Sequence, residues 1–274
     1  MTGAHFFAVV SAEIRKLFSR SSTRFGVLFA ILLGLGVPLT AGFFRWVAEQ
    51  AMDKPGQLQG LDPSYVVFAT LYIRNFFLMR IILIMVGALS LAGEYQTRTL
   101  REDVLRPVHR SVLLFAKWLA LVAFIAVTLI VSLAPATALS VVAWGTAGDW
   151  QHVLLGWLAT LACDAGFAAL VLAVAVVLRS VAGTMVGMFL FYFANVALGW
   201  GLIIIANLPF LKLPDWARDA LANVGPYLPP AAYDAWTGAS PASEFAGTGF
   251  GALAVYGLLA YIVADRVFAR IDVP

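Results

Sequence analysis

Residues 93–117 read GEYQTRTLREDVLRPVHRSVLLFAK and lie between two long apolar runs, residues 76–93 and 112–142. Each run is long enough to cross the hydrocarbon core of a bilayer, which takes about 20 residues of helix. The charges of the segment between them are costly inside that core and belong outside it. This part of the chain therefore predicts two membrane-spanning helices joined by a short charged connection.

Four further apolar runs, residues 25–44, 154–178, 181–206 and 246–268, repeat this pattern along the chain. Of the 274 residues, 62% are hydrophobic and 12% are charged, whereas soluble domains have about 45–50% and about 25%. An ordinary soluble domain is thereby excluded. We predict an all-α membrane protein with six transmembrane helices that form a single domain over residues 1–274.

The basic residues indicate the orientation of these spans. Twelve Lys and Arg residues flank the spans on the face that carries both termini, and four flank them on the opposite face. Since basic flanks remain in the cytoplasm, both termini are predicted to be cytoplasmic. The net charge of +3 is then a consequence of orientation and is too small for a surface that binds nucleic acid.

Residues 5–20 precede the first span and place their apolar side chains at helical spacing. The polar positions between them include Glu13, Arg15, Lys16 and Arg20. We predict an amphipathic helix that lies along the cytoplasmic interface, with membrane lipids as partners of its basic side. The alternative is a helix that packs against the spans.

The connection between spans two and three carries its own helix signal. Thr99 and Glu102 fit a capping box, and Pro107 disfavours helical geometry at Arg106, so a helix of about two turns is predicted over residues 99–105. Its apolar positions are Leu100, Val104 and Leu105. Such a helix is suited to a groove on another protein; the alternative is a charged turn that only obeys the positive-inside rule.

Residues 209–243 form the largest external segment and contain six prolines and four Trp or Tyr residues. Aromatic residues of this density are typical of the headgroup layer. We predict short external helices over residues 215–221 and 231–236, which lie at the interface or re-enter the membrane. An irregular loop with anchoring aromatic side chains is the alternative.

Two charges fall at membrane depth, Asp164 in the fourth span and Arg80 in the second. A charge at this depth needs a partner or contact with water. Arg80 is the partner considered for Asp164, with Arg74 placed near the outer boundary; snorkelling of Arg80 to the headgroups is the alternative. For Asp164 we weigh a substrate path, a proton relay and a structural hydrogen bond.

The remaining intramembrane positions suggest packing roles. Asn195 is predicted to hydrogen-bond between helices, and Gly183 and Gly187 are spaced for close helix approach. Cys163 fits a small packing residue. The sequence shows no metal-ligand cluster, no catalytic constellation and no phosphate-binding loop, so we predict no metal, no cofactor in this chain and no enzyme activity.

The chain resembles the ABC-2 type permeases, the six-span membrane subunits of bacterial ABC exporters. The similarity rests on the segment between spans two and three, where the matching residues are Glu94, Thr99, Leu100, Arg106, Pro107, Val108, Arg110 and Lys117. Two positions depart from the family pattern: Arg98 stands where glycine is usual, and His109 where serine is frequent. Weaker matches lie at Glu13, Arg15 and Lys16, at residues 178–180, and at residues 268–272.

The resemblance implies a transporter half whose ATP and Mg²⁺ are bound by a separate partner. Two permeases would pair in the bacterial inner membrane, and a homodimer is the simpler assembly than a heterodimer. Two copies of an ABC ATP-binding subunit would dock on this pair. ATPase coupling would involve the following residues: Glu94, Thr99, Leu100, Arg101, Glu102, Val104, Leu105, Arg106, Pro107 and Arg110. In this family the first and fifth spans line the subunit seam, which gives Gly183 and Gly187 a role in subunit packing.

These features predict a permease that exports a lipophilic compound, drug, peptide or lipid-linked substrate. One alternative is an ABC-type subunit that drives a periplasmic or extracellular accessory protein or a cofactor-maturation process. A second is an ion-driven carrier that uses Asp164 and Arg80. A membrane-embedded enzyme is the weakest alternative, because no catalytic constellation is present.

Overall fold

The computed structural model describes residues 3–51, 64–76, 78–100, 109–144, 150–208, 211, 213–224 and 246–270. These residues are almost entirely helical and include no strand, which confirms the all-α prediction for this part of the chain. In order, the helices are α1 (Gly3–Ser19), α2 (Ser21–Ala51), α3 (Ser64–Phe76), α4 (Leu78–Thr97), α5 (Arg110–Trp144), α6 (Trp150–Leu178), α7 (Val181–Asn207), α8 (Asp215–Val224) and α9 (Ala246–Arg270).

Four stretches of these helices are long and apolar enough to cross a membrane: Ser21–Val47, Met79–Thr97, Arg110–Ala143 and Gly156–Leu178. They coincide with the first four predicted spans. Helices α7 and α9, of 27 and 25 residues, occupy the predicted fifth and sixth positions. The protein is therefore a multi-pass α-helical membrane protein, and the count of six spans stays a prediction.

The four spanning stretches differ in how much of their surface the protein covers. Within the most apolar window, 67% of the residues of the α4 stretch are buried, against 17% for α2. Helix α4 packs against α6 and α7, whereas α2 packs mainly on α5. The outward side of α2 is a stripe of exposed apolar side chains: Phe25, Leu28, Leu32, Leu35, Leu39 and Phe43. Helix α4 is thus the centre of the bundle, and α2 lies at its edge.

Helix α1 packs on the bundle through one face. The rings of Phe6 and Phe115 stack with centroids 6.1 Å apart, and Leu17 belongs to the buried core. Phe7, on another side of the helix, is 70% exposed. The inner face of α1 therefore packs against the spans, as the alternative interpretation had it. Contact of its outer side with lipid stays a prediction.

The chain turns sharply after α4. Arg98 has φ 61°, in the left-handed region that favours glycine, which is the residue that the resemblance leads one to expect there. Leu100 follows with no exposed surface and belongs to the core. Leu100 was counted among the apolar positions that fit a groove on another protein, whereas the structure buries this side chain in its own bundle. Its part in ATPase coupling stays a prediction.

Several predicted elements lie outside the described residues. They include most of the helix predicted over residues 99–105, with Arg101, Glu102, Val104, Leu105, Arg106 and Pro107, and the external helix over residues 231–236. The other external helix is present as α8, which runs through Val224 and so extends beyond the predicted end.

Candidate functional site: two buried ionic clusters

Five charged side chains meet where α1, α4 and α5 come together. We call this group the N-terminal ionic cluster; its members are Glu13 and Lys16 of α1, Arg20 directly after α1, Glu94 of α4 and Lys117 of α5. Spacing explains the contribution of α1, because residues 13, 16, 17 and 20 share one helix face. That face points into the protein, with Glu13 buried, so its polar groups are not all at the headgroup surface as predicted.

Lys117 is the centre of this cluster. Its Nζ lies 2.7 Å from Glu13 Oε2 and 2.6 Å from Glu94 Oε2, and it also donates to the Ser90 carbonyl at 3.3 Å. The lysine side chain has no exposed surface. A buried ammonium is stable only when its protons are satisfied in this way.

Glu94 is paired with two further cations, Lys16 of α1 and Arg20 directly after it. Lys16 Nζ lies 2.8 Å from Glu94 Oε1 and Arg20 Nη2 lies 3.1 Å from the same oxygen, while Arg20 Nη1 donates to the Leu89 carbonyl. Both oxygens of this buried carboxylate are thus paired. One acidic side chain fixes the distance between α1 and the end of α4, and through Lys117 it fixes α5 as well.

The N-terminal ionic cluster borders the charged connection. Glu94 is four residues from the left-handed turn at Arg98, and Lys117 lies two helical turns into α5. The start of α5 is also tied to α9, because Arg110 Nη1 donates to the Ala269 carbonyl at 3.3 Å. Thr99 and Thr97 share a hydrogen bond of 3.0 Å between their hydroxyls. The connection between α4 and α5 is therefore held by hydrogen bonds at both of its ends, at Thr99 and at Arg110.

A second buried cluster lies within the bundle. Arg74 of α3 places Nη1 3.0 Å from Asp164 Oδ2 and Nη2 3.1 Å from Thr128 Oγ1. Arg74, placed near the outer boundary in the sequence analysis, is thus a buried partner of Asp164. The ion pair with a buried carboxylate is what holds this guanidinium inside the bundle and away from the outer boundary.

Arg80 is also buried, at 4% exposure, which rules out snorkelling to the headgroups. Its Nη1 donates to the Tyr192 hydroxyl at 2.6 Å, and its guanidinium carbon lies 5.1 Å from the centre of that ring. Arg80 and Asp164 line the same small cavity, of about 10 Å³, with Arg74 and Thr128. A hydrogen bond and a cation–π contact together hold a guanidinium that burial would otherwise destabilise.

The other intramembrane residues have local partners. Asn195 Nδ2 donates to the Phe191 carbonyl of its own helix at 2.7 Å, so the predicted bond between helices is replaced by a bond one turn back. A Cβ on Gly187 would lie 3.0 Å from Leu178 of the same chain, and a role of Gly183 and Gly187 at a subunit seam stays a prediction. Cys163 is buried.

Sequence reasoning named Glu13, Lys16, Glu94, Lys117 and Asp164 but did not pair them as the structure does. Tyr192 was missed altogether. Lys117 did carry a signal, since it is a lone charge inside an apolar run and needs an acidic partner at its own depth. Among the described residues, no group of His, Cys, Asp and Glu is placed to hold a metal ion.

Helices of spanning length around buried, ion-paired side chains define a polytopic α-helical membrane protein. The sequence model of the ABC-2 family transporter proteins matches residues 8–273. The chain belongs to this family, whose members are membrane transport subunits that work with an ABC ATP-binding subunit. A comparison with curated proteins gives no match.

Proposed function

We propose that this chain is the permease half of an ATP-driven exporter of lipophilic compounds in a bacterial inner membrane, with both termini cytoplasmic. Two copies pair, and each receives force from an ATP-binding subunit that contacts the segment beginning at Thr99. ATP and Mg²⁺ belong to that partner. The observation that carries the proposal is the N-terminal ionic cluster, which joins α4 and α5, the two helices that flank this segment, to α1.

The geometry supports force transmission through this segment. Movement of the chain between Leu100 and His109 pulls on α4 and α5, and Lys117 links both helices to α1 through Glu13 and Glu94. Because these charges are buried, separating them is costly, and the three helices respond together. Helix α4 is also the most buried of the spanning stretches, so its displacement reaches the interior of the bundle.

The exposed apolar surfaces support pairing of two copies. Besides the stripe along α2, helix α7 exposes Val186, Leu190 and Phe193. Their spacing of three to four residues defines a single helix face. Apolar faces of this kind are suited to lipid or to a second membrane subunit, and a homodimer is the simplest closed assembly.

Co-purification with the ATP-binding subunit tests the proposal. Val104→Asp should release the ATPase, because a carboxylate in the predicted apolar contact is left desolvated, while the permease still elutes as a folded dimer. Leu100→Asp is unsuitable, since Leu100 lies in the core. Ser111→Asp, at an exposed position at the start of α5, is the matched control and should retain the ATPase.

Transport measurements complete the test. Vesicles with both subunits should show substrate movement that requires ATP and stops with Val104→Asp. Transport without any ATPase that responds to pH or sodium would refute the proposal in favour of a carrier.

A further inference from the structure

A large apolar cavity, which forms a groove, lies between α5, α6 and α9. Its volume is about 530 Å³, within the range of about 300–1,000 Å³ of small-molecule sites. The walls are Phe115 and Trp118 of α5 and Tyr261 of α9, and small residues of α6 and α9 form the floor. It is separate from both ionic clusters.

The floor consists of small residues because the backbones of α6 and α9 are in contact there. Helix α6 contributes Ala162, Ala165, Gly166 and Ala169, which share one face. A Cβ on Gly257 of α9 would lie 2.8 Å from the Gly166 Cα, so no side chain fits between the helices at this point. The chain itself therefore leaves this volume unfilled.

Three aromatic rings form the walls. Phe115 and Trp118 stack with centroids 5.5 Å apart, and Tyr261 lies 6.2 Å and 6.3 Å from them. Trp118 Nε1 donates to the Ala165 carbonyl at 3.0 Å, which fixes the orientation of its ring. The π faces of Trp and Tyr attract organic cations, most strongly where water is excluded.

A carboxylate lies one helical turn from this wall. Asp265 follows Tyr261 by four residues on α9, and its Oδ1 is buried without a hydrogen bond to the described part of the chain. Arg266, the next residue, is exposed, and Arg110 of α5 donates to the Ala269 carbonyl one turn further along α9. A buried carboxylate oxygen without a partner is costly, and a cationic group in the cavity would remove that cost.

We propose that this groove binds a lipophilic amine, with the apolar body over the small-residue floor and the ammonium between the aromatic wall and Asp265. Neutral and anionic amphiphiles of the same length lack the group that complements Asp265. The proposal goes beyond the transport function, because the groove is formed by helices other than α2 and α7, which we assign to subunit pairing.

Photolabelling of the full chain tests this site. The protein is placed in nanodiscs of phosphatidylglycerol, a lipid without an amine, and labelled with a long-chain alkyldimethylamine that carries a diazirine in its tail. The carboxylate and alcohol with the same tail serve as matched probes. We expect the amine to label peptides covering residues 162–169 and 254–261, and the other two probes to label them about tenfold less, as expected for loss of one charge-assisted contact.

Two substitutions separate charge from shape. Asp265→Asn should lower labelling by the amine about tenfold, whereas Asp219→Asn, at an exposed position of α8, should leave it unchanged. Ala162→Trp should fill the groove and abolish labelling by every probe. Val142→Trp, at an exposed position near the end of α5 and outside the groove, is its control.

Three results would overturn the proposal. Equal labelling by all three probes, unaffected by Asp265→Asn, would make the groove a contact for acyl chains. Labelling outside residues 162–169 and 254–261 would place the amine elsewhere. Displacement of the probe by phosphatidylethanolamine at its usual membrane abundance would assign the site to a lipid headgroup.

Discussion

Replacing Lys117 by Met removes the central cation of the N-terminal ionic cluster while keeping the length of the side chain. The substitution leaves Glu13 and Glu94 buried, and the closest remaining cation to Glu13 is Lys16, at 3.9 Å. Glu94 keeps Lys16 and Arg20. Glu13 is therefore the group that loses most.

Breaking a buried ion pair from one side costs about 3–5 kcal/mol, because the remaining charge stays desolvated. Since Glu94 keeps two cations, we place Lys117→Met at the lower end, about 3 kcal/mol. Lys16→Met is the matched control: Lys16 bonds the same carboxylate at 2.8 Å, against 2.6 Å for Lys117, but its side chain is 34% exposed, against 0%. An ion pair exposed to this degree contributes about 0–1 kcal/mol.

The assay is unfolding in mixed micelles with increasing denaturing detergent, read as the free energy of unfolding. Lys117→Met should lose at least twice as much as Lys16→Met, and adding Glu13→Gln to Lys117→Met should recover part of the loss, since the stranded acid becomes neutral. Equal losses for the two lysines would refute the role of burial. Failure of Glu13→Gln to recover any stability would show that Glu13 is not the stranded charge.

Three further predictions concern single positions. Arg98→Gly should raise the unfolding free energy by about 0.5–1 kcal/mol, because glycine accepts the left-handed φ of 61°; a loss of stability in the same detergent titration would contradict the strain argument. Asp164→Asn should lower the free energy of unfolding by about 3 kcal/mol, because it leaves the buried Arg74 without its carboxylate. The double variant Asp164→Asn with Arg74→Met should lose less, because no buried charge is left behind. A double variant that unfolds more easily than Asp164→Asn would refute the pairing. Gly34→Ala should lower the midpoint of thermal unfolding, because the new Cβ would lie 2.7 Å from the Ser132 Cα. Gly36→Ala, with open space at that position, should leave the midpoint unchanged or raise it. Equal midpoints for the two alanine variants would contradict the close contact of α2 and α5.

Much of the helical framework could be predicted from hydropathy alone. The apolar runs at residues 112–142 and 181–206 reappear as α5 (Arg110–Trp144) and α7 (Val181–Asn207), displaced by two residues or fewer at each end. These boundaries are set by local chemistry, such as the Ser180 hydroxyl that accepts from the Gly183 amide. Local signals of this kind are fully present in the sequence.

The pairing of buried charges could not be predicted in the same way. Asp164 was assigned a depth by counting residues along its own helix, and Arg80 was considered because it had a similar height. The count left Arg74 near the outer boundary, whereas its guanidinium lies 3.0 Å from the Asp164 carboxylate. Hydrophobic periodicity carries no information on which of two arginines reaches a carboxylate on another helix.

The amphipathic pattern of residues 5–20 correctly predicted a helix. It wrongly predicted that the whole polar side of this helix faces the lipid headgroups. Hydrophobic periodicity ranks each residue by polarity, so it assigns Glu13 to the outside. It has no means of recognising that Lys117, in a helix a hundred residues later, makes the inside favourable for a carboxylate. Long-range charge complementarity overrode the local rule at this position.

The buried ion pairs of Lys117 affect how the helices can move during transport. A bundle held by apolar contacts alone lets helices slide, because such contacts are non-directional, whereas Lys117 ties Glu13 and Glu94 at hydrogen-bond distance. Separating these groups in an apolar setting costs about 3–5 kcal/mol, so we expect α1, the end of α4 and the start of α5 to move as one unit during ATP turnover. Spin labels on exposed Ser11 and Ser111 should then keep their separation while the partner ATPase cycles. A separation that changes with nucleotide would show instead that the N-terminal ionic cluster opens in each cycle, with Lys117 released from at least one of its two carboxylates.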